Sequence, residues 1–360
     1  MPAGASVALA SVDLYAFWWL PLKDMLAPPG ARIEIAPLMS WTRPSEPRGR
    51  VSAAAALRQT LLWASRRPHI KTGITKAPLT RTLVKRFVAG EAIDDAVRVA
   101  RVLNASGRYV SLDYLGEDTR DRDGATAAVA TYKALVNRLG SEGLAGRTEV
   151  SVKLSAVGQA LDEGLAVDNA HAICTAAHSA GTTVTIDMED HTTTEATLRA
   201  VTQLRRDFPD TAAVIQASLR RSERDCSDLA VAGSRVRLCK GAYQEPGDVA
   251  WQSRRDVSAS FLRCLRTLVG GGAYAMVATH DPTLIAAAER LFNEPAAHGG
   301  HEFQMLYGIR PDEQARLADA GETVRVYTPF GDQWYSYLMR RMAERPANLA
   351  LVLRALITRK

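Results

Sequence analysis

The 360-residue sequence holds only four cysteines, Cys174, Cys226, Cys239 and Cys264. They form no C-x-x-C pair and have no metal-ligand spacing. That excludes a zinc ribbon and a disulfide-built fold, and leaves buried reduced thiols as the reading. A run of about 18 uncharged apolar residues is also missing, so no membrane-spanning helix is expected. The apolar opening Val7 to Leu20 is broken by Asp13 and has no basic stretch before it, a poor match to a secretory leader. Neither G-x-G-x-x-G nor G-x-x-x-x-G-K-[ST] occurs, so the glycine loops that cradle phosphates in open nucleotide-binding sheets are absent. Gly270 to Gly272 lies before an apolar run and reads as a helix-to-strand loop.

What is present is ordinary globular composition, 47% hydrophobic and 23% charged, enough for a sizeable core. The charge is unevenly placed. Arg43 to Arg86 holds eleven Lys and Arg against Glu46 alone, a net +10, which leaves −4 on the rest of a chain whose total is +6. A basic segment over 43–86 suits contact with anionic lipid, and a solvated basic helix accounts for it equally well. No nucleic-acid partner is expected. Residues 1–54 carry little pattern, and are expected to be a disordered extension or to precede the true start. Helical spacing then begins, with Leu57, Leu61, Leu62, Leu79, Leu83 and Phe87 on one segment and Ile93, Val97, Ala100 and Leu103 on the next. Residues 55–108 are read as an N-terminal helical arm.

From Tyr109 the chain keeps one rhythm. Short β-branched runs are expected at 109–113, 149–153, 183–187, 213–216, 235–239, 274–279, 301–305 and 324–327. Helical segments are expected between them at 124–139, 165–180, 193–208, 222–232, 249–269, 282–293 and 311–320. Eight consecutive strand–helix units predict an α/β fold, a (β/α)8 TIM-like barrel over 109–360 with N-terminal helices. An open doubly wound sheet is the alternative, and the missing glycine loop weighs against it.

Such barrels carry their chemistry at the C-terminal ends of the strands. Those ends read Asp113, Lys153, Asp187, Gln216, Lys240 with Tyr243, Thr279-His280-Asp281, Gln304 and Tyr327. After the last strand Tyr337, Arg340, Arg341 and Glu344 fall at i, i+3, i+4 and i+7, one face of a helix. Adjacent guanidiniums make a fork for a carboxylate or phosphate, and Glu344 can hold either in place. The cation surplus at this mouth suits an anionic ligand and argues against a metal site. Asp113 reads as structural. Glu302 and Gln304 suit barrel-mouth hydrogen bonding as well as ligand contact, and Tyr243 suits a wall.

Several of these stretches occur together in one family. Val150-Ser-Val-Lys153-Leu-Ser, Ile186-Asp187-Met-Glu-Asp190, Ile215-Gln216-Ala-Ser-Leu-Arg-Arg221, Arg237-Leu-Cys-Lys240-Gly-Ala-Tyr243, Ala278-Thr-His280-Asp, Glu302-Phe-Gln-Met-Leu-Tyr-Gly308 and Tyr337-Leu-Met-Arg340-Arg341-Met-Ala-Glu344-Arg follow in order. From about residue 57 onward the chain resembles the proline dehydrogenase family in its monofunctional bacterial form. That resemblance implies a barrel that binds FAD and oxidises L-proline to Δ1-pyrroline-5-carboxylate. It implies hydride transfer from C5 to the flavin N5 and electrons passed on to a quinone, the first step of proline catabolism. It implies Asp187 and Arg237 as the catalytic pair, with Arg237 near the flavin N5. It implies Lys153, Arg340 and Arg341 on the substrate carboxylate, and Tyr327 and Tyr337 against the substrate. It implies Met188, Gln216, Arg237, Lys240, Gly241, Ala242, Thr279, His280 and Glu344 around the cofactor. Gln244 departs from the family pattern, where an aromatic is common. The chain has no room for the aldehyde-oxidising domain of the bifunctional relatives, so a separate pyrroline-5-carboxylate dehydrogenase is expected downstream. The expected location is the cytoplasm, with the inner face of its membrane as the place for any contact through 43–86.

Two other classes stay open on sequence grounds. A Schiff-base aldolase would use Lys153 or Lys240 as its nucleophile, and a non-enzymatic binding module would act through 43–86.

Overall fold

The computed structural model describes residues 86–116, 119–295, 297, 299–334 and 337. The expected disordered extension, most of the helical arm, and Arg340, Arg341 and Glu344 lie outside the described residues. The first described helix, α1 (Ile93–Ala105), buries Ala96, Val97, Ala100 and Leu103, the 3.6-residue spacing read from the sequence. It leads into the alternation β1 (Tyr109–Tyr114), α2 (Arg122–Ser141), β2 (Thr148–Val152), α3 (Glu163–Ser179), β3 (Val184–Ile186) and α4 (Thr194–Leu204). The second half continues with β4 (Ala213–Gln216), α5 (Ser222–Leu229), β5 (Arg235–Cys239), α6 (Arg254–Gly270), β6 (Tyr274–Ala278), α7 (Pro282–Phe292), β7 (His301–Leu306), α8 (Pro311–Asp319) and β8 (Val324–Phe330).

The helices begin where the sequence offers a cap. Asp121, Asp162 and Asp281 accept backbone N–H groups in the first turns of α2, α3 and α7, and Pro282 and Pro311 stand in the first turns of α7 and α8. Helix α6 starts five residues later than the expected 249. Ser253 caps it by accepting from Asp256 N at 3.0 Å. The residues before the cap pair with the β4–α5 loop instead, with Trp251 N donating to Ser218 O at 2.8 Å. Apolar Val249 and Trp251 imitate a helical pattern there, and the cap decides.

All neighbouring strands are parallel, in the order β3-β2-β1-β8-β7-β6-β5-β4. The two outer strands meet through a parallel bridge between Thr185 and Ala212, with Ile186 N donating to Ala212 O at 2.9 Å. The result is the expected eight-stranded barrel. Its apolar core lies outside the sheet. Val110, Leu112, Val150 and Val152 pack with α1–α3, and Val236, Leu238, Val277 and Phe303 pack with residues of α5–α8. A strap formed by residues 86–91 crosses the end of β8, where Ala89 N donates to Pro329 O and Gly331 N to Gly90 O. Gly308 makes room for it, since a Cβ there would stand 1.8 Å from Arg86 O. Glu91 then accepts from Trp334 Nε1 at 2.9 Å. Among the described residues, no helix is long and apolar enough to cross a membrane.

Candidate active site

Alternation along a strand decides what faces the lumen. With the apolar residues turned toward the helices, the other face carries Ser111 and Asp113 on β1, Glu149 and Ser151 on β2, Arg235 and Arg237 on β5, and Arg325 and Tyr327 on β8. Lys153 continues the β2 series one step past the strand. This polar lumen is cross-linked. Glu149 Oε1 accepts from Thr185 Oγ1 at 2.9 Å, Ser111 Oγ at 3.0 Å and Arg237 Nη2 at 3.2 Å. Its Oε2 accepts from Arg235 Nη2 at 2.8 Å and lies 3.7 Å from Arg325 Nη1. Arg325 is forked onto Glu302 at 2.7 and 3.0 Å. Burial alone would push the Glu149 carboxyl up, but Arg325, Arg235 and Arg237 outweigh it and hold the group well below the usual carboxylate range.

Arg237 stands one layer higher and is 4% exposed. Its five N–H groups meet five acceptors. These are Gln304 Oε1 at 2.5 Å, Ser151 Oγ at 3.0 Å, Asp187 Oδ1 at 2.6 Å, Ser111 Oγ at 3.2 Å and Glu149 Oε1 at 3.2 Å. A guanidinium saturated in this way is fixed in place and supports what lies above it.

Above it, at the C-terminal rim, four side chains converge from β1, β2, β3 and β8. Asp187 receives Arg237 on Oδ1 and the Tyr327 hydroxyl on Oδ2 at 2.7 Å. Lys153 Nζ donates to Asp113 Oδ1 at 2.7 Å and to Tyr327 Oη at 3.4 Å, and lies 3.7 Å from Asp187 Oδ2. The Arg237 guanidinium sits 5.3 Å from the Tyr327 ring centroid, within cation–π range. Asp113 is wholly buried, and among the described residues its Oδ2 has no hydrogen-bond partner. Burial pushes its carboxyl up to about 6. The Lys153 charge opposes the rise, the Asp187 charge adds to it, and the Lys153 hydrogen bond and the Tyr327 hydroxyl oppose it further. Tyr327 is raised well above the usual phenol range, first by burial and then by the Asp113 and Asp187 charges.

A second group lines the rim from the end of β3 round to β7. Gln216 Nε2 donates to Glu189 O at 2.6 Å, and Met188 and Thr279 are buried beside these strand ends. Lys240 is paired with Asp281 at 2.7 Å. Burial would raise Asp281, but the Lys240 hydrogen bond and the Thr283 backbone donor prevail and lower it. Gly241 has φ 101°, and a Cβ there would strike Ser218 Oγ at 2.3 Å, so the close approach of the β4 and β5 loops needs glycine. Ala242 is exposed, and Tyr243 is 39% exposed. His280 Nε2 accepts from Leu306 N at 2.9 Å, which puts the ring proton on Nδ1.

The structure therefore brings Asp187, Arg237, Lys153 and Tyr327 into one cluster. Met188, Gln216, Lys240, Gly241, Ala242, Thr279 and His280 stand at neighbouring strand ends. Tyr337 is buried. Sequence reasoning missed Glu149, Arg235 and Arg325, although each stands two or four residues before a predicted site residue and so shares its face. Asp113, read as structural, belongs to the rim cluster. Among the described residues no group of three His, Cys, Asp or Glu side chains is placed to hold a metal. The arrangement can bind a small zwitterion between fixed charges, orient it, and move a proton between the carboxylates and Lys153.

Comparison with known proteins agrees with this fold. The chain is 39% identical over 304 residues to proline dehydrogenase 1 of Bacillus subtilis, covering 84% of this chain and 99% of that one. It is 36% identical over 309 residues to proline dehydrogenase of Deinococcus radiodurans, covering 83% and 97%. Among solved structures, proline utilization A from Bdellovibrio bacteriovorus, inactivated by N-propargylglycine, shares the fold with a TM-score of 0.68 at 22% identity. That match covers 81% of this chain, which spans only 38% of that longer protein. The family model described as proline dehydrogenase matches residues 96–353, so the barrel and its rim cluster are those of a chain that belongs to the proline dehydrogenase family.

Proposed function

We propose that the protein oxidises L-proline to Δ1-pyrroline-5-carboxylate with FAD as its cofactor, as the first step of proline catabolism. The observation that carries this reading is the rim cluster of Asp187, Tyr327 and Lys153 held over a saturated Arg237. Lys153 holds the substrate carboxylate, the role that the family resemblance also gives Arg340 and Arg341. Tyr327 and Tyr337 pack against the pyrrolidine ring. Asp187 keeps its place through Arg237 and the Tyr327 hydroxyl, which fixes the ring for hydride transfer from C5.

The donor set along the rim fits FAD, because Lys240, Gln216, Thr279 and His280 offer cationic and polar groups at successive strand ends, with Arg237 as a buried charge below. These residues would hold it together with Met188, Gly241, Ala242 and Glu344. When bound, FAD would supply the hydride acceptor, at N5, and the route for the electrons to a quinone. Lys240 supplies positive charge beside it. With its five donors engaged, Arg237 acts on that site through charge and through its support of Asp187. The product goes to a separate pyrroline-5-carboxylate dehydrogenase. The protein works in the cytoplasm, where the basic segment 43–86 suits contact with the inner face of the membrane.

The test is the visible spectrum of the purified protein and its anaerobic bleaching by L-proline. Bleaching by L-proline ahead of hydroxylated and N-methylated analogues is expected. A colourless protein, or a flavin that none of these reduces, would overturn the reading. Arg340→Met and Arg341→Met should each raise KM for proline while FAD stays bound, and an unchanged KM in both would remove them from the carboxylate site.

A further inference from the structure

Loss of a hydride from the carbon beside an amine needs the nitrogen lone pair, and a zwitterionic amino acid arrives with that lone pair protonated. If the site oxidises proline as proposed above, something in it must take this proton before or with the hydride step. Asp187 is committed, with Arg237 on one oxygen at 2.6 Å and Tyr327 on the other at 2.7 Å. Asp113 differs. Lys153 reaches its Oδ1 at 2.7 Å, and among the described residues its Oδ2 is buried without a hydrogen-bond partner. A buried carboxylate oxygen without a donor is costly as an anion and much less so as a hydroxyl.

We propose that Asp113 is the proton store of the site: the ammonium proton of the bound substrate passes to Lys153 as Lys153 passes one to Asp113. One N–H bond of the substrate breaks and one forms at Nζ, while one Nζ–H bond breaks and one O–H forms on Asp113. No electrons are exchanged, and the proton returns to solvent after the product leaves. Asp113 acts through Lys153 and touches no substrate, so it is a positioning residue. The groups that face it are Lys153 from β2, Asp187 from the end of β3, Tyr327 from β8 and Tyr132 from α2. Burial raises both phenols well above their usual range, the Asp113 charge adding to the rise in each, so neither titrates near neutrality. The Tyr132 hydroxyl is in any case spent on Ser151 O at 2.7 Å. The exchange is thereby confined to Asp113 and Lys153.

The test is anaerobic flavin reduction by L-proline, followed by stopped flow across roughly pH 5 to 9, in wild type, Asp113→Asn and Asp113→Glu. Wild type should lose rate on the acid side, where Asp113 is already protonated. Asp113→Asn should slow reduction about 10²-fold and lose that acid limb, with KM changed much less. Asp113→Glu should restore the limb. In wild type alone, infrared difference spectra on proline binding should show a new protonated carboxylic acid, a readout that stands if the variants fail to fold. An Asp113→Asn enzyme with wild-type rate and pH profile, a change in KM alone, or no carboxylic acid band would each overturn the proton assignment. A wild-type protein that proline does not reduce would overturn the parent function instead, and this step with it.

Discussion

Replacing Asp113 by Asn should make the protein more stable and less active at once. The carboxyl is raised from 3.8 to about 6 by burial, against the opposing pull of Lys153. The folded state therefore binds this proton more tightly than the unfolded chain does. Its contribution to stability is full below the unfolded value, falls as pH rises between the two values, and remains a penalty above about 6. At 1.36 kcal/mol for each unit, the penalty is on the order of 1–2 kcal/mol at pH 5 and about 3 kcal/mol at pH 8. Asn imitates the neutral carboxyl in shape and charge, so Lys153 loses the same attraction in the variant as in the protonated wild type. Its amide nitrogen replaces an Oδ2 that had no partner, so one unpaired group substitutes for another. Urea unfolding of both proteins across roughly pH 5 to 8 should give a gain for the variant of about 1–3 kcal/mol that widens with pH. Loss of a partner from a well-matched buried ion pair would instead cost about 3–5 kcal/mol. A variant destabilised on that scale at pH 8, or a difference flat with pH, would show that Lys153 satisfies Asp113 and would refute the reasoning.

Glu149→Gln should go the other way. It leaves Arg235, Arg237 and Arg325 facing a neutral amide and should cost about 3–5 kcal/mol in the same unfolding assay. For wild type, the depressed Glu149 carboxyl predicts stability that is present above 4.5 and lost as pH falls through its folded value. Tyr327→Phe removes the 2.7 Å bond to Asp187 while keeping the ring over Arg237. Flavin reduction by proline should slow about tenfold or more with flavin content unchanged, and an unaltered rate would take Asp187 orientation out of the mechanism. Gly241→Ala forces a side chain into a left-handed backbone and against Ser218 Oγ. A loss of about 1–3 kcal/mol is expected in urea unfolding, with less flavin retained on gel filtration.

The barrel was legible because its strands carry β-branched runs at regular spacing with amphipathic segments between them, and because caps such as Asp162 and Asp281 mark helix starts. The start of α6 was misread because Val249 and Trp251 fit a helical stripe although their backbone belongs to a loop pairing, which no periodicity reports. The rim residues were legible from their places at strand ends. The layer beneath was not, for a physical reason. Glu149, Arg235 and Arg325 look solvent-facing by hydropathy, yet they are hidden by pairing across the lumen with one another and with Glu302. The two-residue period of the strands held the signal, since Glu149 with Lys153 and Arg235 with Arg237 share faces. What the period cannot supply is the partner on another strand, which depends on barrel closure.

That pairing also explains why two acids on adjacent strands behave oppositely. Glu149 and Asp113 are both wholly buried, and desolvation is the largest influence on each. Glu149 meets three guanidiniums and two hydroxyls, and its carboxyl is pulled down. Asp113 meets one ammonium, which it shares with a second carboxylate 3.7 Å from Nζ, and the Tyr327 hydroxyl, and burial still pushes its carboxyl up. Climbing the lumen thus exchanges the three guanidiniums around Glu149 for a single shared ammonium at Asp113. The lower layer is over-satisfied and holds the barrel and Arg237 rigid. Among the described residues the upper layer is left one donor short at Asp113, which is what lets Asp113 take a proton from Lys153 as Lys153 takes one from an incoming ammonium. Stability and reactivity are separated by height in the lumen, so substitutions in the lower layer should be read in unfolding curves and those in the upper layer in pH profiles.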